Sequence, residues 1–231
     1  MSKKFGLTNN QLKLIAMLSM LSDHAGKELF PEYQILQIIG RLAFPIFAYM
    51  IAEGCFYTRN KKRYFLTIAL LGVGCQAVYF IAERSLYQNI LITFSLSVIT
   101  IFAVESYINN TTKKSKSILF SVISAVFVIA IILPVVLKEQ GFVIDYGIYG
   151  VLLPVTIFYA ADKKQKLFWT TVILIMLSIK TGGIQWCSLA SVPLLALYNQ
   201  KRGKYNIKPL FYVFYPAHLA IIYIISVYLA G

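Results

Sequence analysis

Six ionisable residues lie inside long apolar stretches of this chain: Asp23, His24, Arg41, Glu53, Glu105 and His218. Both histidines of the sequence are among them. A charge at the centre of a bilayer costs about 2.5–3.5 kcal/mol on insertion scales, so each such residue calls for a partner or a task. Histidine exchanges a proton near neutral pH, and a nearby carboxylate can orient its ring or stabilise the imidazolium. Asp23 precedes His24 directly, roughly 100° round a helix, which makes it a candidate for that role. The bland alternative is that His24 bonds or caps a neighbouring helix. For His218, after Tyr215-Pro216, the alternative is an interhelical hydrogen bond. Arg41 can hold an anionic substrate group or an oxyanion. Its structural alternative is an ion pair with Asp23 or Glu53. Glu53 reads as a helix or loop anchor, and Glu105 as a snorkelling or capping residue.

These residues need helices to hold them at depth. A span takes about 20 largely apolar residues, fewer where protein covers its ends. The hydropathy pattern predicts helices over residues 9–29, 36–57, 64–82, 88–108, 117–137, 145–161, 166–181, 183–199 and 209–230. That is an all-α, polytopic bundle of about nine transmembrane helices in a single domain, residues 1–231. The break at Thr181-Gly182-Gly183 is its least marked boundary. At 1.5 Å per residue, His24 stands about 16 Å above Lys13, and His218 about 15 Å above Lys208. Both histidines are thus expected near the midplane. Arg41 falls roughly 8 Å below the outer end of the second span, and Glu53 some 18 Å deeper. Gln88 with Asn89 opens the fourth span from outside, and Asp145 with Tyr146 opens the sixth, so a polar cluster in the central and outer half is expected. Pro45, Pro134, Pro154, Pro193 and Pro216 fall inside the expected helices, each deleting one backbone bond and freeing a carbonyl.

The basic residues set the orientation. With the N-terminus inside, the cytosolic segments hold Lys3, Lys4 and Lys13, then Arg59, Lys61, Lys62 and Arg63, then Lys113, Lys114 and Lys116. Lys163, Lys164 and Lys166 follow, then Lys201, Arg202, Lys204 and Lys208. The outer segments hold only Lys27, Arg84, Lys138 and Lys180. Such asymmetry across every loop pair is the positive-inside pattern, and it puts the C-terminus outside.

Composition excludes several classes. The 231 residues are 58% hydrophobic and 13% charged, about half the charged share of a soluble domain. The net charge of +13 sits in short loop clusters, which argues for topology and against nucleic acid. Cys55, Cys75 and Cys187 form no CxxC or metal spacing and read as small apolar packing residues, so no metal is expected. The first apolar stretch carries Asp23 and His24 with no small-residue cleavage site behind it, so it reads as a span rather than a cleaved leader. There is no P-loop, HExxH or GxSxG pattern, which disfavours an ATP-driven pump, a zinc protease and an ordinary serine hydrolase.

Several blocks together resemble the TraX family. They are Leu21-Ser22-Asp23-His24-Ala25-Gly26, Ile39-Gly40-Arg41-Leu42-Ala43-Phe44-Pro45-Ile46-Phe47-Ala48, and Ala52-Glu53-Gly54 followed by Thr58-Arg59-Asn60. Gln88-Asn89-Ile90, Asp145-Tyr146-Gly147-Ile148-Tyr149-Gly150, Tyr198-Asn199 with Arg202-Gly203, and Phe214-Tyr215-Pro216-Ala217-His218-Leu219 extend the likeness over nearly the whole chain. Gln37-Ile38 is a small departure, where the family pattern has Leu-Arg. The family is named for a conjugative-pilus protein that acetylates pilin at its N-terminus. The resemblance implies an acyltransferase in the bacterial cytoplasmic membrane. It would take acetyl from cytosolic acetyl-CoA and pass it to a peptide N-terminal amine, a sugar or a lipid amine at the outer face. It further implies His24 as general base or acetyl carrier, Asp23 orienting it, and Arg41 and His218 lining the site. Gln88, Asn89, Asp145 and Tyr146 become candidate substrate contacts. Arg59, Arg63 and Arg202 become candidates for gathering the anionic acyl donor.

Two other readings fit the same residues. In a proton-coupled transporter, Asp23, His24 and Arg41 would form a relay at a small-molecule site, but that architecture predicts matching inverted halves, and none is visible. In a non-enzymatic membrane partner the buried charges would serve helix assembly alone.

Overall fold

The computed structural model describes residues 6–205 and 207–230; Lys3 and Lys4 lie outside the described residues. In chain order the elements are α1 (Asn9–Glu28), α2 (Gln34–Gly40), α3 (Ala43–Tyr57), α4 (Lys61–Glu83), β1 (Tyr87–Gln88) and α5 (Ile90–Asn109). Next come α6 (Lys113–Phe127), a π turn (Val128–Ile132), α7 (Leu133–Val136), β2 (Val143–Ile144) and α8 (Gly147–Tyr159). The chain ends with α9 (Lys163–Thr181), a 3-10 segment (Gly183–Ala190), α10 (Ser191–Ala196) and α11 (Lys208–Ala230). Among the described residues the fold is all-α apart from the short β1–β2 pair.

Helix starts follow from local chemistry. Thr8, Asn60, Asn89, Thr112 and Asp162 each accept a hydrogen bond from an otherwise orphaned first-turn amide of α1, α4, α5, α6 and α9. Thr8 with Gln11, and Thr112 with Ser115, close reciprocal capping boxes.

Among the described residues, five helical stretches are long and apolar enough to cross a membrane: Gln34–Tyr57, Lys61–Ile81, Ile90–Asn109, Lys113–Val136 and Pro209–Leu229. Gly147–Tyr159 and Gly183–Ala196 are apolar but shorter. Leu70, Ile81, Phe120, Val135 and Tyr228 stand exposed on these stretches. Large apolar side chains turned outward along whole helices suit a lipid solvent, so the chain is a multi-pass membrane protein. α1 and α9 fall outside the five because they carry Lys13, Asp23, Lys27 and Glu28, and Lys163, Lys164, Lys166 and Lys180.

The prolines behave differently from one another. Pro154 and Pro216 lie inside α8 and α11, as expected. Pro45 and Pro193 instead fall in the first turns of α3 and α10, where a missing N–H costs nothing. The expected helix over 36–57 is broken at Arg41-Leu42, just ahead of Pro45. Before Pro134 the chain widens into the π turn, in which the Leu133 amide reaches back to the Val128 carbonyl. The helix expected over 183–199 is a 3-10 segment followed by the short α10.

The backbone forms two compact units: the described residues up to Met50 together with those from Asp162 onward, and Ile51–Ala161. In the first, α1 packs against α2 and α11, and the 3-10 segment packs against α2, α9 and α10. Leu7 and Tyr198 form an isolated parallel bridge, with Leu7 N–H donating to the Leu197 carbonyl at 2.8 Å. In the second unit α5 is the central helix, packed against α4, α6 and α8. Val126, Ala130, Ile144 and Val151 are buried together there. Two hydroxyls on α5 lock it in place: Thr93 Oγ1 donates to the Asp145 carbonyl and Ser97 Oγ to that of Val151, both at 2.9 Å.

Candidate functional site

The helical hairpin of α1 and α2 is close because small residues line it. A methyl on Gly26 would stand 2.7 Å from Leu36 Cβ, and one on Gly40 would overlap the Asp23 side chain. Ser22 Oγ donates to the Leu36 carbonyl at 2.9 Å, a tie that suits helices lacking a hydrophobic drive to associate in lipid. Asp23 is 7% exposed, so its charge needs company. Arg41, at the turn between α2 and α3, supplies it: Nη2 donates to Asp23 Oδ1. Lys27, one turn along α1, donates to Asp23 Oδ2 at 2.5 Å. Asp23, one of the two partners expected for Arg41, is bonded to it. Both carboxylate oxygens of Asp23 are thereby engaged by cations, and its bonds go to Arg41 and Lys27 rather than to the His24 ring.

His24 is oriented by a different residue. Its Nδ1 lies 2.8 Å from His218 Nε2, and the two rings are parallel to within 5° with centroids 5.0 Å apart. Pro216 lies two residues before His218 inside α11. His218 Nδ1 sits 2.8 Å from the Phe214 carbonyl, and the Phe214 ring stacks on the imidazole with centroids 4.7 Å apart. Tyr215 closes the edge at 5.7 Å, and His218 is only 3% exposed.

This geometry fixes the protons. A carbonyl oxygen can only accept, so His218 Nδ1 must carry a hydrogen and donate to Phe214. With His218 neutral, its Nε2 is an acceptor, and His24 Nδ1–H donates to it. His24 Nε2 is then left with its lone pair, and no described residue hydrogen-bonds it. His24 is partly exposed, while His218 is buried behind it. The pair is a base whose tautomer is set by a chain of two hydrogen bonds ending on the backbone. Lys27 and Phe214 are named from the sequence only as a loop charge and as part of a family block, and the structure adds them to the site. The i, i+4 spacings Asp23–Lys27 and Phe214–His218 are the signals that could have found them.

In the second unit Gln88, Asn89, Asp145 and Tyr146 come together. β1 and β2 pair in parallel, Tyr87 opposite Val143 and Gln88 opposite Ile144. The Asp145 amide donates to the Gln88 carbonyl at 3.1 Å, and Tyr87 OH donates to Asp145 Oδ1 at 2.6 Å. Tyr146 begins α8 at φ 58°, a left-handed conformation costly for a bulky residue. Asn89 is tightly engaged: Oδ1 accepts from the Leu91 amide, and Nδ2 donates to the Gly72 carbonyl and to Gln76 Oε1, each at 3.0 Å. It works as a cap that ties α5 to α4. Glu53 is buried, and Glu105 pairs with Lys61 at 2.7 Å. Arg59, Arg63 and Arg202 are all exposed. The three cysteines are free, and no described group of His, Cys, Asp and Glu could hold a metal ion.

The family profile described as TraX protein matches residues 8–226. The chain belongs to the TraX family. A relative from Dichelobacter nodosus, named "Probable fimbrial assembly protein FimC, serogroup H1", is 24% identical over 257 residues, covering 96% of this chain and 97% of its own. "Uncharacterized protein RP591" from Rickettsia prowazekii (strain Madrid E) is 35% identical over 91 residues, 38% of this chain and 35% of its own. No solved structure matches the chain. Family membership thus covers both the helix carrying His24 and the one carrying His218.

Proposed function

We propose that this chain is a membrane-embedded acetyltransferase of the bacterial cytoplasmic membrane, all of it acting as one acyltransferase domain of about nine spans, N-terminus inside and C-terminus outside. It passes acetyl from cytosolic acetyl-CoA to an amine at the outer face, as of a peptide N-terminus. The observation that carries the reading is the His24–His218 pair, in which His24 Nε2 has no hydrogen-bond partner among the described residues. TraX membership and the similarity to a protein named for fimbrial assembly support it.

In this reading His24 Nε2 takes a proton from the acceptor amine as the C–N bond forms and the thioester C–S bond breaks. The proton then leaves with the coenzyme A thiol, which restores His24. His218 stabilises the transient imidazolium by accepting the Nδ1–H bond throughout. The Asp23–Arg41–Lys27 group carries a net positive charge, suited to the oxyanion that develops on the carbonyl. Arg59, Arg63 and Arg202 are the proposed attractors for the donor's phosphates. Gln88, Asp145 and Tyr146 are the proposed acceptor contacts, with Asn89 holding the turn that carries them.

Oriented proteoliposomes test the reading. Radiolabelled acetyl-CoA supplied at the cytosolic face should label a peptide amine on the opposite side. Solute counterflow with no transfer of label would instead establish a proton-coupled transporter.

A further inference from the structure

The 3-10 segment Gly183–Ala190 inverts the pattern of a membrane helix. Three residues complete one 3-10 turn, so side chains three apart eclipse. Gln185 and Ser188 therefore share a face that runs on to Ser191, and these residues are 6%, 0% and 0% exposed. Trp186, by contrast, is 45% exposed. The polar side is inside and the aromatic is outside.

That buried face is not satisfied. Ser178 Oγ, Gln185 Nε2 and Ser188 Oγ have no hydrogen-bond partner among the described residues. Other hydroxyls of the same unit find a backbone carbonyl. Thr170 Oγ1 donates to Lys166 O at 2.7 Å, Thr181 Oγ1 to Leu177 O at 2.8 Å, and Ser191 Oγ to Ser188 O at 2.7 Å. Ser178, on α9 and 0% exposed, does not. α9 packs against the 3-10 segment, and so does α2, which also packs on α1. Orphaned polar atoms carry their full desolvation cost, and in hydrocarbon no solvent relieves it. Three of them on packed neighbouring elements call for an occupant.

We infer that Ser178, Gln185 and Ser188 form a hydrogen-bonding subsite for an uncharged polar group, amide or hydroxyl, that the acceptor carries beside its reacting amine. The inference rests on the acetyltransferase reading. The three side chains bear no charge, so the subsite selects by hydrogen bonding alone. Gln185 Nε2 donates, and the serine hydroxyls both donate and accept. A carbonyl or hydroxyl oxygen satisfies the first and an amide or hydroxyl hydrogen the others. In the proposed topology the turn at Thr181-Gly182-Gly183 faces outward, which places this subsite on the acceptor side.

The test compares three amines as acceptors for acetyl-CoA turnover: glycinamide, ethanolamine and ethylamine, which has neither polar group. Wild type should show a KM about tenfold lower for glycinamide or ethanolamine than for ethylamine, as expected for one or two hydrogen bonds. The better of the two identifies amide or hydroxyl. Gln185→Leu and the smaller change Ser188→Ala should each remove that advantage, leaving the KM for acetyl-CoA unchanged. Equal KM values for the three amines in wild type, or an advantage that survives both variants, overturns the subsite. If wild type turns over no acetyl-CoA, the acetyltransferase reading fails separately. Saturation-transfer NMR with the same amines then decides the subsite: contact with glycinamide or ethanolamine that Gln185→Leu abolishes supports it, and equal contact in the variant refutes it.

Discussion

His24 and His218 are 194 positions apart in sequence, yet Nδ1 of the first lies 2.8 Å from Nε2 of the second. The Phe214 carbonyl behind His218 makes this pairing directional: with His218 neutral and its Nδ1 hydrogen given to that carbonyl, the shared hydrogen belongs to His24 Nδ1. The catalytic proposal stands on that direction.

If His218 serves by accepting from His24, a residue that still accepts should rescue it. His218→Gln is expected to retain a substantial part of acetyl-CoA turnover. His218→Leu should lose about a hundredfold in kcat, on the order of what a positioned base contributes. Equal loss in both variants would mean that His218 does more than position its neighbour.

Asp23 sits between two cations, so the three partners should differ in weight. Asp23→Asn removes the carboxylate charge that faces the nearly buried Arg41 and is expected to cost about 3 kcal/mol of stability. Lys27→Met removes a partner that is 45% exposed in its side chain and should cost no more than about 1 kcal/mol. Thermal unfolding in detergent measures both.

Glycine positions give a paired test. Gly40→Ala drives a methyl into the Asp23 side chain and should destabilise by about 1–3 kcal/mol. Gly74 lies inside α4 with nothing within 4 Å of its added Cβ, so Gly74→Ala should stabilise by about 0.5–1 kcal/mol.

Asn89 caps α5 and holds α4, so Asn89→Ala should lower stability by about 1–2 kcal/mol. A rise in acceptor KM at unchanged stability would instead give it a direct role in substrate binding.

Much of this was legible in the sequence, and the exceptions have physical reasons. The ends of α1, α4, α5 and α9 fall within three residues of those expected, because lysine clusters and capping side chains bound the apolar runs. The break at Arg41-Leu42 was hidden inside a continuous apolar stretch that hydropathy reads as one helix. The Gly183–Ala190 segment was hidden similarly, since hydropathy does not distinguish a 3-10 turn from an α-helical one. Hydropathy placed both histidines at similar depth but could not say that they touch, because which helices neighbour one another is a tertiary matter. The same holds for Asp23: sequence leaves it a choice between the adjacent His24 and an ion pair with Arg41, and the packing of α1 on α2 turns it to Arg41.

The most direct test of the central claim is acetyl-CoA turnover by purified protein, wild type against His24→Ala, with acetyl-CoA binding measured in parallel. The account predicts that the variant binds the donor and stays folded while its turnover falls at least a hundredfold. Turnover equal to wild type in a folded His24→Ala protein would contradict it.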